Sequence, residues 1–179
     1  MNSDVKNWVQ KSGEQSLRRI GINDGDKILD FGCGYGYYSI PLAKISTKGI
    51  VYALDMNAKK ITEFKKSLQN YNLNNIKIIQ TSGELKLPFA DESLDFVLLF
   101  DVLHNHYFTA AARIKVLLEI NRITKNGGLI SVFPKHMIEK ELKKDIKKTN
   151  FSFRRKIKTK VLHFYSLEDN TILNFQKMN

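Results

Sequence analysis

The 179-residue sequence contains only one cysteine, three prolines and one tryptophan. A lone Cys33 cannot form an internal disulfide bond or a thiolate metal site, which excludes disulfide scaffolds and cysteine-rich zinc modules. Long apolar runs are also missing: the longest one near the middle of the chain is residues 96–100, whereas ~20 residues are needed to span a bilayer. The N-terminus carries no apolar signal segment, so we expect a cytoplasmic protein with no membrane partner.

Acidic residues are too few to balance the basic ones, and the net charge is +11. The excess is unevenly spread, because residues 1–134 carry 17 basic and 13 acidic side chains whereas residues 135–160 carry 11 and 3. One interpretation of residues 135–160 is a positive face for nucleic acid. The other is a solvated amphipathic helix followed by a strand with one charged side.

The hydrophobic content of 42% is enough for one globular domain with a real core. Short β-branched apolar runs alternate with longer segments of helical period, which is typical of a parallel sheet covered by helices on both faces. The strands predicted from this alternation are residues 27–31, 50–55, 76–80, 94–100 and 128–133. The predicted helices are residues 5–20, 37–45, 58–73, 109–123 and 138–148.

The end of the chain breaks this alternation. Residues 153–161 and 171–175 both have the composition of strands, and the segment between them is too short for a crossover helix. An antiparallel hairpin is therefore predicted. We expect three phenylalanines around it to lie in the core, Phe151, Phe153 and Phe164. For the helix at 109–123 we expect one face to combine Ala110, Ile114, Leu117, Leu118 and Asn121.

The most informative string is a buried strand that runs into a glycine-rich turn, residues 28–36. A dinucleotide fingerprint would place a third glycine at position 37, which holds Tyr37, so the spacing is G-x-G-x-G rather than G-x-G-x-x-G. Asp30 lies two residues before the first glycine, where its carboxylate would repel a phosphate on that turn. The same carboxylate favours a ligand with an ammonium group, while the helix N-terminus and the glycine amides favour a carboxylate. An amino-acid zwitterion meets both conditions.

Asp55 ends the second predicted strand, 19 residues beyond Gly36. In α/β nucleotide sites an acid at this position accepts hydrogen bonds from the ribose hydroxyls. The alternative is a turn residue ahead of a helix cap at Asn57. An amino acid at one end and a ribose at the other describe S-adenosylmethionine.

Four segments carry a family resemblance: residues 30–36, Asp55, residues 87–97 and residues 121–128. Together they resemble the motifs of the class I S-adenosylmethionine-dependent methyltransferases, over residues 27–133. The Leu-Pro-Phe stretch followed by Leu103-His104 is most similar to the group that includes quinone-biosynthesis methyltransferases. The resemblance implies a Rossmann-like, doubly wound α/β fold, whose mostly parallel seven-stranded sheet ends in an antiparallel C-terminal hairpin strand.

This fold implies a single domain, residues 1–179. Its parts are a helical cap over residues 1–25, a cofactor-binding core over residues 26–134, and a last helix with the terminal hairpin over residues 135–179.

The resemblance also implies roles for individual residues toward the cofactor, S-adenosyl-L-methionine. The methionine part would be held by Asp30 together with the backbone of the glycine loop, which comprises Gly32, Cys33, Gly34 and Gly36. Asp55 would bind the ribose, and Met56 would cover one face of the adenine. Phe100 and Asp101, at the end of the fourth strand, would lie beside the sulfonium and the acceptor cavity.

One segment departs from the family pattern. The family often places an acid after a glycine ahead of the Leu-Pro-Phe stretch, to contact the adenine amino group. This chain has Ser82-Gly83-Glu84 there. Either Glu84 makes this contact from a position shifted by one residue along the chain, or the backbone at Gly83 makes it.

The sequence assigns no catalytic residue with certainty, and the candidates are His104, Asp101 and Tyr35. His104 and His106 follow the fourth strand, but two histidines without a third ligand do not define a metal site, so we expect no metal. His136 and His163 lie beyond the motifs and are interpreted as surface or hairpin residues.

The acceptor is expected to be a small molecule, because the chain has no separate recognition domain. Its cavity is predicted between the N-terminal helix around Trp8, the Tyr35 loop and residues 101–107. The alternative is an RNA or protein methyltransferase that uses the basic face of residues 135–160. Two other classes, an NAD(P)-dependent oxidoreductase and a non-catalytic RNA-binding protein, would differ in which ligand they bind.

Overall fold

A computed structural model describes residues 2–179 and places all the strands in one sheet. The strands are β1 Lys27–Phe31, β2 Ile50–Asp55, β3 Ile76–Gln80, β4 Leu94–Phe100, β5 Thr124–Phe133, β6 Phe151–His163 and β7 Ser166–Lys177. Their order is β3-β2-β1-β4-β5-β7-β6. The first five strands pair in parallel, and β7 pairs antiparallel with both β5 and β6. The predicted doubly wound, mostly parallel α/β fold is confirmed.

The helices begin and end close to the predicted positions. They are α1 Ser3–Asn7, α2 Gly13–Arg19, α3 Ser39–Ile45, α4 Ala58–Leu68, α5 Ala110–Ile123 and α6 Glu139–Lys147, with a π-helical segment, Trp8–Ser12, between α1 and α2. The predicted cap at Asn57 is confirmed, because its side chain accepts a hydrogen bond from the Lys60 amide at 3.0 Å. No helix in the described part of the chain is long and apolar enough to cross a membrane.

The sheet separates two apolar layers, because side chains alternate between its faces. On one face Ile28 and Phe96 pack with residues of α1 to α4, and on the other Leu29 and Val97 pack with residues of α5 and α6. The helix after β1 therefore lies on one face, and the helix after β4 lies on the other. Neighbouring strands β1 and β4 thus form a switch point, the place where open α/β sheets bind ligands beyond the carboxyl ends of their strands.

The predicted face of α5 is wrong. Leu118 is 51% exposed, and the buried face is Arg113, Val116, Leu117, Ile120 and Ile123. The helix ends at Ile123 as predicted, but β5 begins directly after it at Thr124 rather than at residue 128. A hydrophobic count misses this face because one of its buried members is an arginine.

The hairpin is longer than predicted, since residues 166–170 belong to β7 and only Phe164 and Tyr165 form the turn. Both turn residues have positive φ, which suits the twist of a two-residue hairpin. Of the three phenylalanines expected in the core, Phe151 is buried, whereas Phe153 is 45% and Phe164 is 73% exposed. Phe164 is exposed because it occupies the tip of the turn.

The sequence predicted that the helix around Trp8 borders the acceptor cavity. Trp8 itself is fully buried and does not line a cavity. Its ring lies 4.9 Å from that of Tyr38, and its indole N–H donates to the Tyr37 carbonyl at 3.0 Å. The Tyr38 hydroxyl in turn donates to the Leu162 carbonyl at 2.9 Å and accepts from the Leu162 amide at 3.0 Å. The N-terminal helices, the start of α3 and the hairpin are thereby fixed to one another.

A buried ion pair joins α5 to α6 and to the loop after β4. The guanidinium of Arg113 donates to Asp145 at 2.8 Å and 3.1 Å, and also to Asn105 Oδ1 at 2.8 Å. Arg113 is 4% and Asp145 7% exposed. Since a buried charge without a partner is costly, this pair fixes the position of the loop that follows β4.

We predict that Arg113→Met lowers the free energy of unfolding by about 3 kcal/mol, because it leaves Asp145 buried beside only the more distant Lys148. Urea denaturation measures the loss. The control is Lys160→Met, which breaks the exposed pair with Asp169 and is expected to cost less than about 1 kcal/mol. Equal losses in the two variants would contradict the prediction.

Candidate active site

Four amides of the glycine loop, residues 32–36, have partners within the fold. Gly32 and Cys33 donate to the Leu54 carbonyl at 2.8 Å and 3.0 Å, and Gly36 donates to the Cys33 carbonyl at 2.9 Å. Gly34 donates to Asp55 Oδ2 at 2.7 Å. The expectation that the loop amides bind a ligand carboxylate stays a prediction, and the loop also offers a ligand its carbonyl oxygens and open space.

Asp55 lies where the sequence placed it, at the end of β2 and directly against the glycine loop. It is 9% exposed. One carboxylate oxygen accepts from Gly34, and the other accepts from the Asn57 amide at 2.7 Å. Each oxygen has a second lone pair, so the carboxylate can still accept two hydrogen bonds from a ligand.

Asp30 lies beneath the same loop at the end of β1 and is 4% exposed. The Ser39 hydroxyl donates to its Oδ2 at 2.6 Å. Burial raises the pKa of Asp30 to about 6, against the opposing effect of the Ser39 hydrogen bond. A cation near the loop would reverse this effect by favouring the ionised carboxylate.

Two glycines of the loop show where a ligand can approach. A Cβ at Gly36 would collide with the ring of Phe64, so this position permits close packing of α4 on the loop. A Cβ at Gly34, in contrast, would meet only the Lys60 side chain at 3.8 Å. Gly34 therefore faces open space beside Asp55.

The segment predicted near an adenine is brought to the same edge. Met56 is 66% exposed, and its Cε lies 3.6 Å from the position that a Cβ of Gly83 would take. Glu84 turns back onto its own loop, where it accepts from Thr81 Oγ1 at 2.7 Å and from the hydroxyl of Ser82. These side-chain hydrogen bonds lower the pKa of Glu84 to about 2.

Phe100 and Asp101 end β4 on the other side of the loop. The ring of Phe100 packs against Tyr38 at 5.1 Å, and Val102 lies so close to Gly32 that no Cβ would fit there. Asp101 has a φ of +54°, a left-handed conformation that costs a non-glycine residue roughly 1–2 kcal/mol. Its side chain points toward the histidines described next.

All four histidines of the sequence meet beyond the end of β4. The ring of His104 lies 5.9 Å from those of His106 and His136, and His136 lies 5.2 Å from His163. His136 is exposed and His163 ends the hairpin strand β6, as the sequence predicted, but the sequence did not predict that both lie beside His104. No local spacing signals this cluster, because three separate connections carry its members.

His104 is a partly buried candidate for proton transfer. Burial lowers the pKa of His104, and nearby Asp101 opposes this effect from 3.9 Å. Cys33 is 7% exposed, and burial raises the pKa of its thiol. A buried, protonated thiol is a poor nucleophile, so Cys33 has no nucleophilic role in the site.

Aromatic side chains connect the glycine loop to the histidine cluster. Tyr35 stacks on Tyr37 at 5.7 Å, and Tyr37 contacts Tyr165 of the hairpin turn at 6.1 Å. Phe164 then packs on His163 at 4.2 Å, while Tyr107 packs on His104 at 4.4 Å. We call these five side chains, Tyr35, Tyr37, Tyr107, Phe164 and Tyr165, the aromatic rim.

The buried Asp30 predicts a pH dependence of stability. Its pKa of about 6 in the folded state exceeds the value of roughly 3.9 in an unfolded chain. Between those values the folded state binds more protons, so the free energy of unfolding should fall by up to about 3 kcal/mol as the pH rises through them. Urea denaturation across this range measures the slope, and Asp30→Asn should remove this contribution. An identical slope in the variant would contradict the prediction.

The close packing at Gly36 predicts a specific sensitivity to a methyl group. Gly36→Ala and Gly25→Ala both replace a glycine of positive φ, but only the first meets a neighbour, the ring of Phe64. We expect Gly36→Ala to cost about 2 kcal/mol more than Gly25→Ala, because overpacking adds to the backbone strain. Thermal or urea denaturation compares the two, and equal losses would show that Phe64 moves freely.

Known proteins resemble this chain in sequence and in fold. A family model described as a methyltransferase domain matches residues 22–177. A demethylmenaquinone methyltransferase of Geobacillus stearothermophilus is 34% identical over 116 residues, which cover 63% of this chain and 47% of that protein. A ubiquinone/menaquinone biosynthesis C-methyltransferase of Blochmanniella floridana is 34% identical over 135 residues, covering 74% and 51%. The chain thus spans about half the length of the curated relatives it matches.

Solved structures agree in fold. A SAM-dependent methyltransferase of Aquifex aeolicus has a TM-score of 0.77 at 20% identity, covering 97% of each chain. Magnesium protoporphyrin IX methyltransferase of Synechocystis, solved with bound S-adenosylhomocysteine, has a TM-score of 0.71 at 20% identity, covering 97% of this chain and 83% of that one. The family match over most of the chain confirms the resemblance found in the sequence, and the chain belongs to the methyltransferase domain family.

Proposed function

We propose that this chain transfers the methyl group of S-adenosylmethionine to a small aromatic acceptor of the quinol type. The observation that carries the proposal is the arrangement at the switch point, where the glycine loop lies between two buried carboxylates. One end of that loop continues into the aromatic rim. The cofactor would lie along the loop, and the acceptor would lie at the rim.

The residues present fit the polar parts of this cofactor. Asp55 keeps two lone pairs for the ribose hydroxyls, beside the open space at Gly34. Asp30 and the loop carbonyls suit an ammonium group, since each is an acceptor and Asp30 gains a charge partner. Met56 and Gly83 supply an exposed apolar surface next to Asp55, which suits one face of the adenine. On these grounds we propose that the cofactor residues named from the sequence bind S-adenosylmethionine.

The acceptor end favours an aromatic ring over a polar polymer. Tyr107, Phe164 and Tyr165 are 60%, 73% and 47% exposed, and aromatic side chains bind flat apolar rings through stacking and edge contacts. The curated relatives are named for methylation of demethylmenaquinone and related quinone precursors. A quinol-type ring suits both the rim and these names.

The bound cofactor supplies an electrophilic methyl group, and the chain supplies geometry. Holding the acceptor at the aromatic rim, in line with the cofactor held along the glycine loop, converts a bimolecular reaction into an intramolecular one. Proximity and orientation of this kind can lower a barrier by roughly 7–11 kcal/mol.

The basic segment gives less support to an RNA acceptor. Several of its cationic side chains form ion pairs, including Lys156 with Glu139 at 2.9 Å and Lys160 with Asp169 at 3.2 Å. Its exposed aromatic residue, Phe153, lies under the Lys143 ammonium at 3.9 Å, so this ring is not free to stack on a base.

We predict that S-adenosylmethionine and its demethylated product both bind the wild-type chain and that Asp55→Ala weakens each by about 10- to 100-fold. The variant loses charge-assisted hydrogen bonds worth about 1.5–3 kcal/mol. Isothermal titration measures the affinities, and Asp169→Ala is the matched control on an exposed acid. Because Asp55 also holds Gly34, a melting curve of each variant confirms folding. Binding of NAD or NADP in place of S-adenosylmethionine would overturn the proposal.

The acceptor class is tested with methyl-labelled S-adenosylmethionine. We expect label to enter a reduced demethylated naphthoquinone, and to enter the apolar small-molecule fraction of a cell extract. Tyr165→Ala and Phe164→Ala should raise KM for that acceptor more than they lower the affinity for the cofactor, because both side chains belong to the rim. Label recovered in RNA or protein instead would sink the small-molecule proposal.

A further inference from the structure

Three side chains with metal-binding atoms converge beside Asp101, although no motif relates them. Nε2 of His163 lies 3.2 Å from Nε2 of His136 and 3.4 Å from Oδ2 of Asp101. One ligand atom from each of the three residues lies within 4.8 Å of the other two. Donors bound at about 2.0–2.2 Å around one zinc-like ion are separated by roughly 3–3.5 Å. The observed spacing therefore matches neighbouring positions in a coordination shell.

The carboxylate of Glu168 contacts one ring nitrogen of His163, so the other ring nitrogen faces His136 and Asp101. Nδ1 of His163 lies 3.3 Å from Glu168 Oε1, and the Lys135 ammonium holds both oxygens of Glu168 at 2.9 Å and 3.0 Å. A carboxylate at Nδ1 favours the proton on that nitrogen, which leaves the lone pair on Nε2. Metal-binding histidines almost always have such a partner.

The arrangement brings electron-rich atoms together and leaves one without a partner. With the proton on Nδ1, the Nε2 lone pair of His163 faces a carboxylate oxygen and a second imidazole nitrogen. Oδ1 of Asp101 is buried and accepts no hydrogen bond from any residue that the structure describes. A positive charge among these atoms would satisfy them, and two candidates exist, a proton shared by the imidazoles or a metal cation.

The backbone holds two of these residues in place against their conformational preference. Asp101 and His136 have φ values of +54° and +63°, a left-handed conformation that few non-glycine residues adopt. The turn that follows His163 is left-handed as well, at Phe164 and Tyr165. Such strain persists only where the surrounding structure fixes it, and it is concentrated at functional sites.

We propose that Asp101, His136 and His163 bind one divalent first-row transition metal ion at the acceptor end of the site. Two imidazoles and one carboxylate select zinc, iron, manganese or cobalt over magnesium and calcium, which prefer an all-oxygen shell. Three protein ligands leave at least one coordination position open. The sequence predicted no metal because only His104 and His106 lie close together in it.

The location gives the ion a use, and this step rests on the proposed function. Val102 abuts Gly32 and Phe164 covers His163, so the open position would lie between the glycine loop and the aromatic rim. A divalent cation there would bind a hydroxyl oxygen of the acceptor and favour its ionised form. The acceptor class is then narrowed to rings with an oxygen substituent next to the methylated position.

Metal binding is tested on chelator-treated protein without a histidine tag. Co²⁺ is added and its visible absorption followed, and Zn²⁺ affinity is measured by competition with a chromogenic chelator. We expect one ion per chain, with the absorption of nitrogen- and oxygen-bound cobalt. His163→Ala and His136→Ala should each weaken Zn²⁺ binding by more than the roughly 10- to 100-fold that loss of an outer partner costs, and Glu168→Gln by about that amount.

The matched control is His106→Ala, which removes an exposed histidine of the same cluster that is not a ligand. It should leave Zn²⁺ affinity unchanged. No binding in the wild type would overturn the metal site and leave a proton between the imidazoles. Binding that survives His163→Ala, or that is lost in His106→Ala, would place the ion on other residues and would also overturn the proposed site.

The outcome is separable from that of the proposed function. Titration of metal-free wild type with S-adenosylmethionine reports on the cofactor site alone, and the same titration of His136→Ala confirms that this variant is folded. Metal binding without cofactor binding would leave the metal site and overturn the methyltransferase proposal. Cofactor binding without metal binding would support the methyltransferase proposal and overturn the metal site.

Discussion

The hydrogen bond from the Gly34 amide to Asp55, 2.7 Å long, is the contact on which the cofactor half of the site depends. It joins the loop after β1 to the end of β2, and the second oxygen of Asp55 holds the start of α4 through Asn57. One carboxylate thereby fixes two loops and a helix. Because it is already bound to the protein through both oxygens, its remaining lone pairs point in fixed directions before any ligand arrives.

The acceptor half depends on the terminal hairpin. Tyr38 binds both backbone groups of Leu162, one residue before His163, so the glycine loop and the hairpin turn are fixed at one hydrogen-bonded residue. The turn then places Tyr165 against Tyr37 and Phe164 against His163, with backbone angles that asparagine and glycine would adopt more readily. Two side chains of the aromatic rim are thus carried by a turn whose backbone conformation is unfavourable for them.

The strands of the parallel sheet could be predicted from the sequence nearly to the residue. β1 to β4 match the predicted bounds because buried β-branched runs flanked by turn residues have few other structures open to them. The glycine loop, Asp30 and Asp55 were predictable for a related reason: chain order places the ends of β1 and β2 side by side in a parallel sheet.

The rest required tertiary contacts. The buried face of α5 could not be predicted because it includes Arg113. An arginine can be buried there only because it pairs with Asp145, which is 32 residues away in the sequence. Three amides of the glycine loop already have partners, because Leu54 and Asp55 on the neighbouring strand accept hydrogen bonds from Gly32, Cys33 and Gly34. The histidine cluster was missed because the connections that carry His104, His136 and His163 are distant in sequence and meet only when β4, β5 and β6 end at one edge. Local patterns contain none of these relations.

Tertiary ion pairs account for part of the net charge of +11. Most of the excess lies on residues 135–160, and in the fold many of these cations are paired with acids of α6 and β7. One of them reaches the site: Lys135 holds both oxygens of Glu168, and Glu168 faces His163. Without that ammonium, Glu168 and Asp101 would be two carboxylates on either side of one imidazole with no lysine to balance either charge. The basic segment therefore contributes to the acceptor end as the cation that balances an acid there, which is a different use of positive charge from attracting a polyanion.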